Sequence, residues 1–301
     1  MKKVIVLGSI NVDLVTKTKK LPLKGETIIS DDFFINFGGK GANQAVASAK
    51  SGAPTILLGA VGNDTYGRES LENISNFGVN TSFIKVKESP TGVAMIILYE
   101  DDNRIIVNSG ANAKYSLTDA MSDIANHSKK GDILVLQLEL QLEVVMKIIP
   151  FAKKHGLFMI FNPAPINKDL DVNVLRDVDL LIVNEIEAKM LANDTSSDEI
   201  TIINKLKKLG AENVIVTLGA KGGIYTYKDE IHRYPAYNTV VKDTTGAGDA
   251  FVGSIAASIR ENKSLKEAIE RAALVSGITV SRLGAQQAIP TKDEIDALIS
   301  K

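Results

Sequence analysis

The sequence predicts an α/β fold, with a mostly parallel central sheet carrying helices on both faces and a small β-sheet beside it. Short, continuously apolar runs recur along the 301 residues, each followed by a stretch with apolar residues at helical spacing. Uninterrupted apolar strands alternating with amphipathic helices belong to sheets covered on both faces. Two further stretches, about 12–37 and 93–108, are strand-like, mix apolar with polar residues, and have no helical pattern inside them.

In chain order the first apolar run is 4–8. It is too short for a leader and is followed by Asn11 and Asp13, so it reads as a strand. Strands are also predicted over 55–61, 133–138, 158–162, 180–184 and 214–218, each a short, mostly apolar run. Helices are predicted over 42–51, 66–77, 142–155, 200–209, 250–260 and 265–281; the fifth carries Phe251, Ile255 and Ile259 at spacings of four. The stretches 12–37 and 93–108 form either a small antiparallel sheet projecting from the main one or a plain meander on it. Length alone is compatible with two domains or with one large α/β domain.

Composition narrows the function classes. The chain is 45% apolar and 24% charged, ordinary for a globular protein, and its net charge of −1 gives no electrostatic support for binding nucleic acid or a membrane surface. It has no cysteine, which excludes disulfides, thiol nucleophiles and thiolate metal sites and fits a cytoplasmic location. No apolar run is long enough to span a bilayer. His127, His155 and His232 are far apart and lie in polar surroundings, so they suggest neither a triad nor a metal site.

The most informative run is Asp243-Thr244-Thr245-Gly246-Ala247-Gly248-Asp249-Ala250-Phe251. A polar extended stretch enters a glycine-rich turn that opens a helix. Such a turn aims free backbone N–H groups at one point, at the positive end of the helix dipole, and Asp249 lies at its mouth. Amides that take up developing charge beside a carboxylate that takes a proton suit phosphoryl transfer. On these residues alone, a capped helix start accounts for the run equally well. The dinucleotide fingerprint is absent because Phe251 stands at its third glycine, and Gly39-Lys40 is followed by Gly41 rather than the Ser or Thr of a Walker loop.

The run resembles the C-terminal signature of the ribokinase-like (PfkB-type) carbohydrate kinase family. Asn36-Phe37-Gly38-Gly39-Lys40-Gly41-Ala42-Asn43-Gln44-Ala45 resembles that family's N-terminal signature. Asn184-Glu185-Ile186-Glu187 is similar to its Asn-x-x-Glu motif, and Thr217-Leu218-Gly219-Ala220-Lys221-Gly222 to its nucleotide loop. The motifs occur in the family's order and spacing over essentially the whole chain. The resemblance implies one kinase domain over 1–301 with a Rossmann-like sheet, whose strand-rich stretches form a lid over the sugar and often pair with a second subunit, making a homodimer.

It also implies roles for individual residues. Asp249 is the catalytic base, with the amides of Gly246, Ala247 and Gly248 as the anion hole. The sugar contacts are Asn11, Asp13, Gly38, Gly39, Lys40, Gly41, Ala42, Asn43 and Glu139, together with Asp249. Asn11 and Asp13 directly follow the first strand, where α/β folds place ligands, although a turn would use the same residues. Gly-Ser-Ile-Asn-Val-Asp at 8–13, Leu-Gln-Leu-Glu at 136–139 and Asn162-Pro163-Ala164-Pro165 are similar to the ribokinase branch, for which the substrate is D-ribose. ATP contacts fall on Asn184, Glu187, Thr217, Leu218, Gly219, Ala220, Lys221 and Gly222, with Gly248 and Asp249. Asn184 and Glu187, one helical turn apart, serve equally as a helix cap. Magnesium is required to neutralise the ATP phosphates, and the family holds it largely through water. A potassium ion is implied at Asp243, Thr245, Thr279, Arg282 and Gly284; here Ala288 stands where the family usually offers a serine oxygen. Left open are another PfkB-type kinase, for deoxyribose, fructose or a nucleoside, and a catalytically silent sugar-binding protein on the same fold.

Overall fold

The structure is a computed structural model describing residues 2–100 and 102–299. Its main sheet has nine strands, in spatial order Glu230–Tyr234, Gly223–Tyr227, Asn213–Thr217, Leu180–Asn184, Phe158–Phe161, Ile133–Leu136, Val4–Leu7, Thr55–Leu58 and Val79–Asn80. The first two form an antiparallel hairpin on one edge, and its inner strand Gly223–Tyr227 also pairs antiparallel with Asn213–Thr217; the other pairings are parallel. The helices are α1 (Lys40–Lys50), α2 (Thr65–Asn76), α3 (Leu117–His127), α4 (Leu142–Lys154), α5 (Glu185–Leu191), α6 (Glu199–Lys208), α7 (Ala247–Arg260), α8 (Leu265–Val280) and α9 (Lys292–Ile299).

The alternation of side chains along each strand divides the core in two. Ile5, Leu7, Leu134, Leu136, Phe161 and Val183 face a layer built by α3, α4, α5 and α6. Val4, Val6, Ile133, Val135, Ile160 and Ile182 face α1, α7 and α8. Both faces of the central strands are therefore buried, as their unbroken apolar sequences require. No helix among the described residues is long and apolar enough to cross a membrane.

A second sheet of four strands lies apart from the first, in the order Asp32–Gly38, Asn11–Thr18, Gly92–Tyr99 and Asp102–Asn108. The meander alternative is thus excluded. The expected purely antiparallel pattern is also corrected, because Asn11–Thr18 and Gly92–Tyr99 run parallel, from Asn11 opposite Gly92 to Thr18 opposite Tyr99. Only the ends of the 12–37 stretch are strands.

The predicted strand 55–61 divides. Thr55–Leu58 stays in the main sheet, while Ala60–Gly62 pairs with Lys85–Lys87 in a separate ribbon. The break follows from close packing at Gly59, where a Cβ would lie 2.4 Å from the Gly8 carbonyl oxygen. Helices α3, α5 and α9 and the edge hairpin were not predicted. The signal for α3 is the pair Ser116 and Asp119, which closes a reciprocal capping box. The three histidines pack against aromatic rings, His127 on Phe83, His155 on Phe151 and His232 on Tyr225.

Candidate active site

The site lies beyond the carboxyl ends of the parallel strands. Val4–Leu7 leads to Ser9 and Asn11, Ile133–Leu136 to Gln137 and Glu139, Phe158–Phe161 to Asn162, and Leu180–Asn184 into α5. This is where an open parallel sheet collects its ligand groups.

Gly39 caps α1 at φ 90°, and its backbone is pressed so closely on the first strand that a Cβ would lie 2.8 Å from the Asn11 nitrogen and 2.9 Å from the Ser9 oxygen. The glycines of Gly38-Gly39-Lys40-Gly41 therefore seat the turn against the end of the sheet. The Lys40 N–H donates to Glu139 Oε2 at 2.9 Å, and the Ser9 hydroxyl donates to the same oxygen. Ser9 Oγ in turn accepts from the Gly41 N–H at 3.3 Å. Glu139 is thus tied to the turn. Asn112, 1% exposed, receives the Ile10 N–H and donates to both the Ile10 carbonyl and Asn11 Oδ1, which fixes Asn11 from behind.

Helix α7 begins at Ala247, three residues before the predicted start, with Gly246 at φ 74° as its cap. Asp249 consequently sits inside the first turn, 7% exposed. Its Oδ2 accepts from Asn43 Nδ2 at 3.0 Å and its Oδ1 from Gln44 Nε2 at 2.9 Å, so both oxygens are held by α1. Beside it, the Cβ position of Gly248 faces open space. Of the three amides assigned to the anion hole, that of Ala247 already donates to the Thr244 carbonyl at 3.2 Å.

Electrostatics place the remaining groups. Burial pushes the Asp13 carboxyl up to about 6, with the charges of Glu139 and Asp249 adding to the effect. Asp249 raises the Lys40 ammonium above its usual range; burial opposes this and Glu139 and Glu187 reinforce it. Burial also raises Glu187, against its bond from the Asn184 N–H and the field of Lys40, with Asp249 acting in the same direction as burial. Asp249, Glu139 and Glu187 therefore act together on Lys40, while Asp13 shares the fields of Glu139 and Asp249.

At the other end, Asn184 and Glu187 do form the cap that the sequence left open. Glu187 N–H donates to Asn184 Oδ1 at 2.8 Å and Asn184 N–H to Glu187 Oε2 at 2.9 Å. In the following loop, Gly219, Ala220 and Lys221 are exposed, Thr217 is half-buried and Leu218 is buried. Gly222 is buried at φ 80°, where a Cβ would lie 2.0 Å from the Tyr234 carbonyl oxygen, so packing against the hairpin requires glycine at this position.

Asp243 bridges two segments, accepting the Thr245 N–H on Oδ1 and the Gly284 N–H on Oδ2, each at 2.9 Å. Burial raises the Asp243 carboxyl, but the bonds from Thr245 and Gly284 outweigh it and hold the group below its usual range. Thr279 is buried and its carbonyl accepts the Arg282 N–H; the Arg282 side chain turns away to Glu294. Ala288 is buried, with a methyl group where an oxygen is usual. Among the described residues no cluster of three or more His, Asp or Glu could hold a metal ion.

The sequence matches the family model for pfkB family carbohydrate kinases over residues 1–292. The chain belongs to this family. It is 37% identical to a ribokinase of Lactococcus lactis, covering 100% of this chain and 98% of that one, and 35% identical to a deoxyribokinase of Salmonella typhi, covering 99% and 98%. It superposes on the structure of Arabidopsis thaliana ribokinase complexed with ribose and ATP with a TM-score of 0.90, at 30% identity and full coverage of both chains. The carbohydrate kinase is thus an ATP-dependent sugar kinase with the mostly parallel sheet and small separate sheet of its relatives.

Ser9, Gln44, Asn112, Gln137, Asn162 and Gln286 complete the kinase's polar framework but received no role from sequence. Four of them lie in or beside strings quoted for the resemblance. Asn112 and Gln286 carry no local signal, because the groups they bind are distant in the chain.

Asp13 generates a prediction. If its carboxylate receives a sugar hydroxyl, sugar binding requires the ionised form. KM for the sugar should then rise as pH falls through about 6, by roughly tenfold between pH 7 and pH 5. Asp13→Asn should bind sugar weakly and lose this pH dependence. A parental KM that stays flat across that range would remove Asp13 from the contact set.

Proposed function

We propose that this kinase phosphorylates D-ribose at its primary hydroxyl, forming D-ribose 5-phosphate and ADP. The observation that supports this most is that Asp13, Glu139 and Asp249 lie within one another's fields, with Glu139 bonded to the Lys40 N–H and Lys40 acted on by Asp249 and Glu139. Hydroxyl-binding groups at the end of the sheet meet a buried carboxylate at a helix start. Asp249 takes the proton of the primary hydroxyl as its oxygen bonds to the γ-phosphorus and the bond to the β–γ bridging oxygen breaks, releasing ADP. Amides at the start of α7 receive charge on the transferring group, where one such donor is worth about 3 kcal/mol. The loop 217–221, exposed at Gly219, Ala220 and Lys221, and the Asn184–Glu187 cap flank the nucleotide end, and Lys40 is a cation beside the carboxylates for meeting phosphate charge.

Magnesium enters with the nucleotide and neutralises its phosphates. A potassium ion suits the oxygens of Asp243, Thr245, Thr279, Arg282 and Gly284: the bond from the Gly284 N–H to Asp243 already draws the two segments together, and hard cations prefer oxygen donors. Its role is to fix the turn that begins α7.

The second reading, deoxyribose as the preferred sugar, is favoured by the Salmonella relative. A side-by-side assay of ribose, deoxyribose, fructose and adenosine, with and without potassium, separates these readings. Ribose should have the highest kcat/KM, and potassium should raise the rate. A tenfold preference for any other acceptor would replace ribose in this account.

The carboxylate can be tested directly. Asp249→Asn should lower kcat by about 10²–10⁴-fold while calorimetry still detects ATP binding. Both Asp249 oxygens accept hydrogen bonds, so an asparagine NH2 must face one of the donors, Asn43 or Gln44. The variant should therefore melt at a lower temperature, by the roughly 1–3 kcal/mol of an unpaired buried donor, yet remain folded. Retention of more than about a tenth of the parental kcat would exclude Asp249 as the base.

We also propose a homodimer through the four-stranded sheet. Side chains alternate along a strand, so Leu14 points opposite to Asp13. Leu14 opens an apolar row running Ile35, Leu14, Met95, Ile106 across all four strands. Ile35, Met95 and Ile106 are 42%, 44% and 60% exposed. A projecting apolar row of this kind calls for a cover, and a second copy supplies one. Sedimentation at micromolar concentration should report a dimer for the parent and a monomer for Ile106→Glu; a monomeric parent would refute the interface.

A further inference from the structure

We infer that Gln44 is a positioning residue for the transfer, one that fixes the orientation of the Asp249 carboxylate. The inference rests on the reading of Asp249 as the base. Gln44 lies in the first turns of α1, is fully buried, and points into α7. Its two amide hydrogens have two acceptors: Asp249 Oδ1 at 2.9 Å and Asn162 Oδ1 at 3.1 Å. Its carbonyl oxygen accepts Gln137 Nε2 at 2.7 Å. An amide can be built with its oxygen and nitrogen exchanged, so its direction has to be set by its partners. Here the partners leave one arrangement. Asn162 donates through Nδ2 to the Ile182 carbonyl at 2.9 Å, which can only accept, so Asn162 must turn its oxygen to Gln44. Gln44 must then turn its NH2 group toward Asn162 and Asp249, and its oxygen toward Gln137.

A second chain reaches the other carboxylate oxygen with the same polarity. Asn73 donates to Gln286 at 2.7 Å, Gln286 to Asn43 at 3.0 Å, and Asn43 to Asp249 Oδ2 at 3.0 Å. Asp249 is therefore gripped on both oxygens, on the Gln44 side by an amide whose direction is determined elsewhere in the molecule, and its plane cannot rotate without breaking a buried bond. Asn43 belongs to the expected sugar contacts and can exchange partners when a sugar enters. Gln44 touches no expected contact to sugar or nucleotide other than Asp249, and its bonds can persist through the reaction cycle. A base acts through the direction of its lone pairs as well as its charge, and displacements of about 1 Å in a reacting group can cost 10²-fold in rate.

The test uses Gln44→Met, which keeps the volume and removes the donors. Thermal melting establishes that the variant is folded, and kcat and both KM values are measured with Asp249→Asn in parallel. The expected result is a kcat lower by about 10- to 100-fold with KM for sugar and for ATP within about threefold, the split produced by losing an interaction that acts only in the transition state. A folded Gln44→Met with kcat within twofold of the parent overturns the inference, and so does a loss carried entirely by KM. If Gln44→Met does not fold, Gln137→Met decides. It leaves Gln44 in place but removes the donor that holds its carbonyl oxygen, and it should lower kcat several-fold at unchanged KM; an unchanged kcat overturns the inference. An active Asp249→Asn would instead overturn the base assignment on which the inference rests, so the two failures are distinguishable.

Discussion

The site depends on a carboxylate kept out of water inside the first turn of a helix. Burying Asp249 without compensation would be costly. The cost is offset by two charge-assisted bonds from Asn43 and Gln44 and by the positive end of the α7 dipole. These bonds also join α1 to α7, residues 206 and 205 apart in sequence. The helix that presents the glycine turn near the sugar is thus registered against the helix that presents the turn near the phosphates. Two turns that must face each other are aligned by the group that lies between them.

Charge is distributed along the cleft to match. Asp13, Glu139 and Asp249 share one end of the cleft, and burial, reinforced by the other two charges, raises the Asp13 carboxyl. The other end carries the exposed loop at 219–221 and the N-terminus of α7. Lys40 lies within the fields of Asp249, Glu139 and Glu187 together. On the proposed reading, this charge distribution disfavours a polyanionic nucleotide at the sugar end.

The parts of this arrangement readable from sequence were those with local causes. Buried strands show as apolar runs because both their faces are covered, and α1, α4, α7 and α8 show as helical periodicity. Motif strings located Asp249, Glu139 and the glycine turns. What escaped has non-local causes. Asn112 supports Asn11 from 101 residues away, and Gln286 supports Asn43 from 243. The parallel pairing of Asn11–Thr18 with Gly92–Tyr99 depends on where the intervening chain goes, which no strand pattern encodes. Helix α5 was missed because its first residues read as a ligand motif, although Asn184 and Glu187 are also a capping box. Gly222 answers to a second non-local cause, the close approach of the Tyr234 carbonyl.

The two sheets meet at Ile10 and Asn11. Val4–Leu7 ends in the main sheet, and four residues later the chain re-enters β-structure as Asn11–Thr18, the second strand of the small sheet. Asn11 and Asp13 therefore stand at the root of that sheet, and Asn112 pins the root by holding both the Ile10 backbone and the Asn11 side chain. Side-chain alternation then separates two duties along one strand. Asp13 and Val15 face one way, and Leu14 faces the apolar row on the opposite side. Any partner that covers the row bears on the same backbone that carries the sugar contacts. Asp249 takes its own supports from elsewhere, from Asn43 and Gln44 of α1 and, through Gln44, from Asn162 at the end of a main-sheet strand.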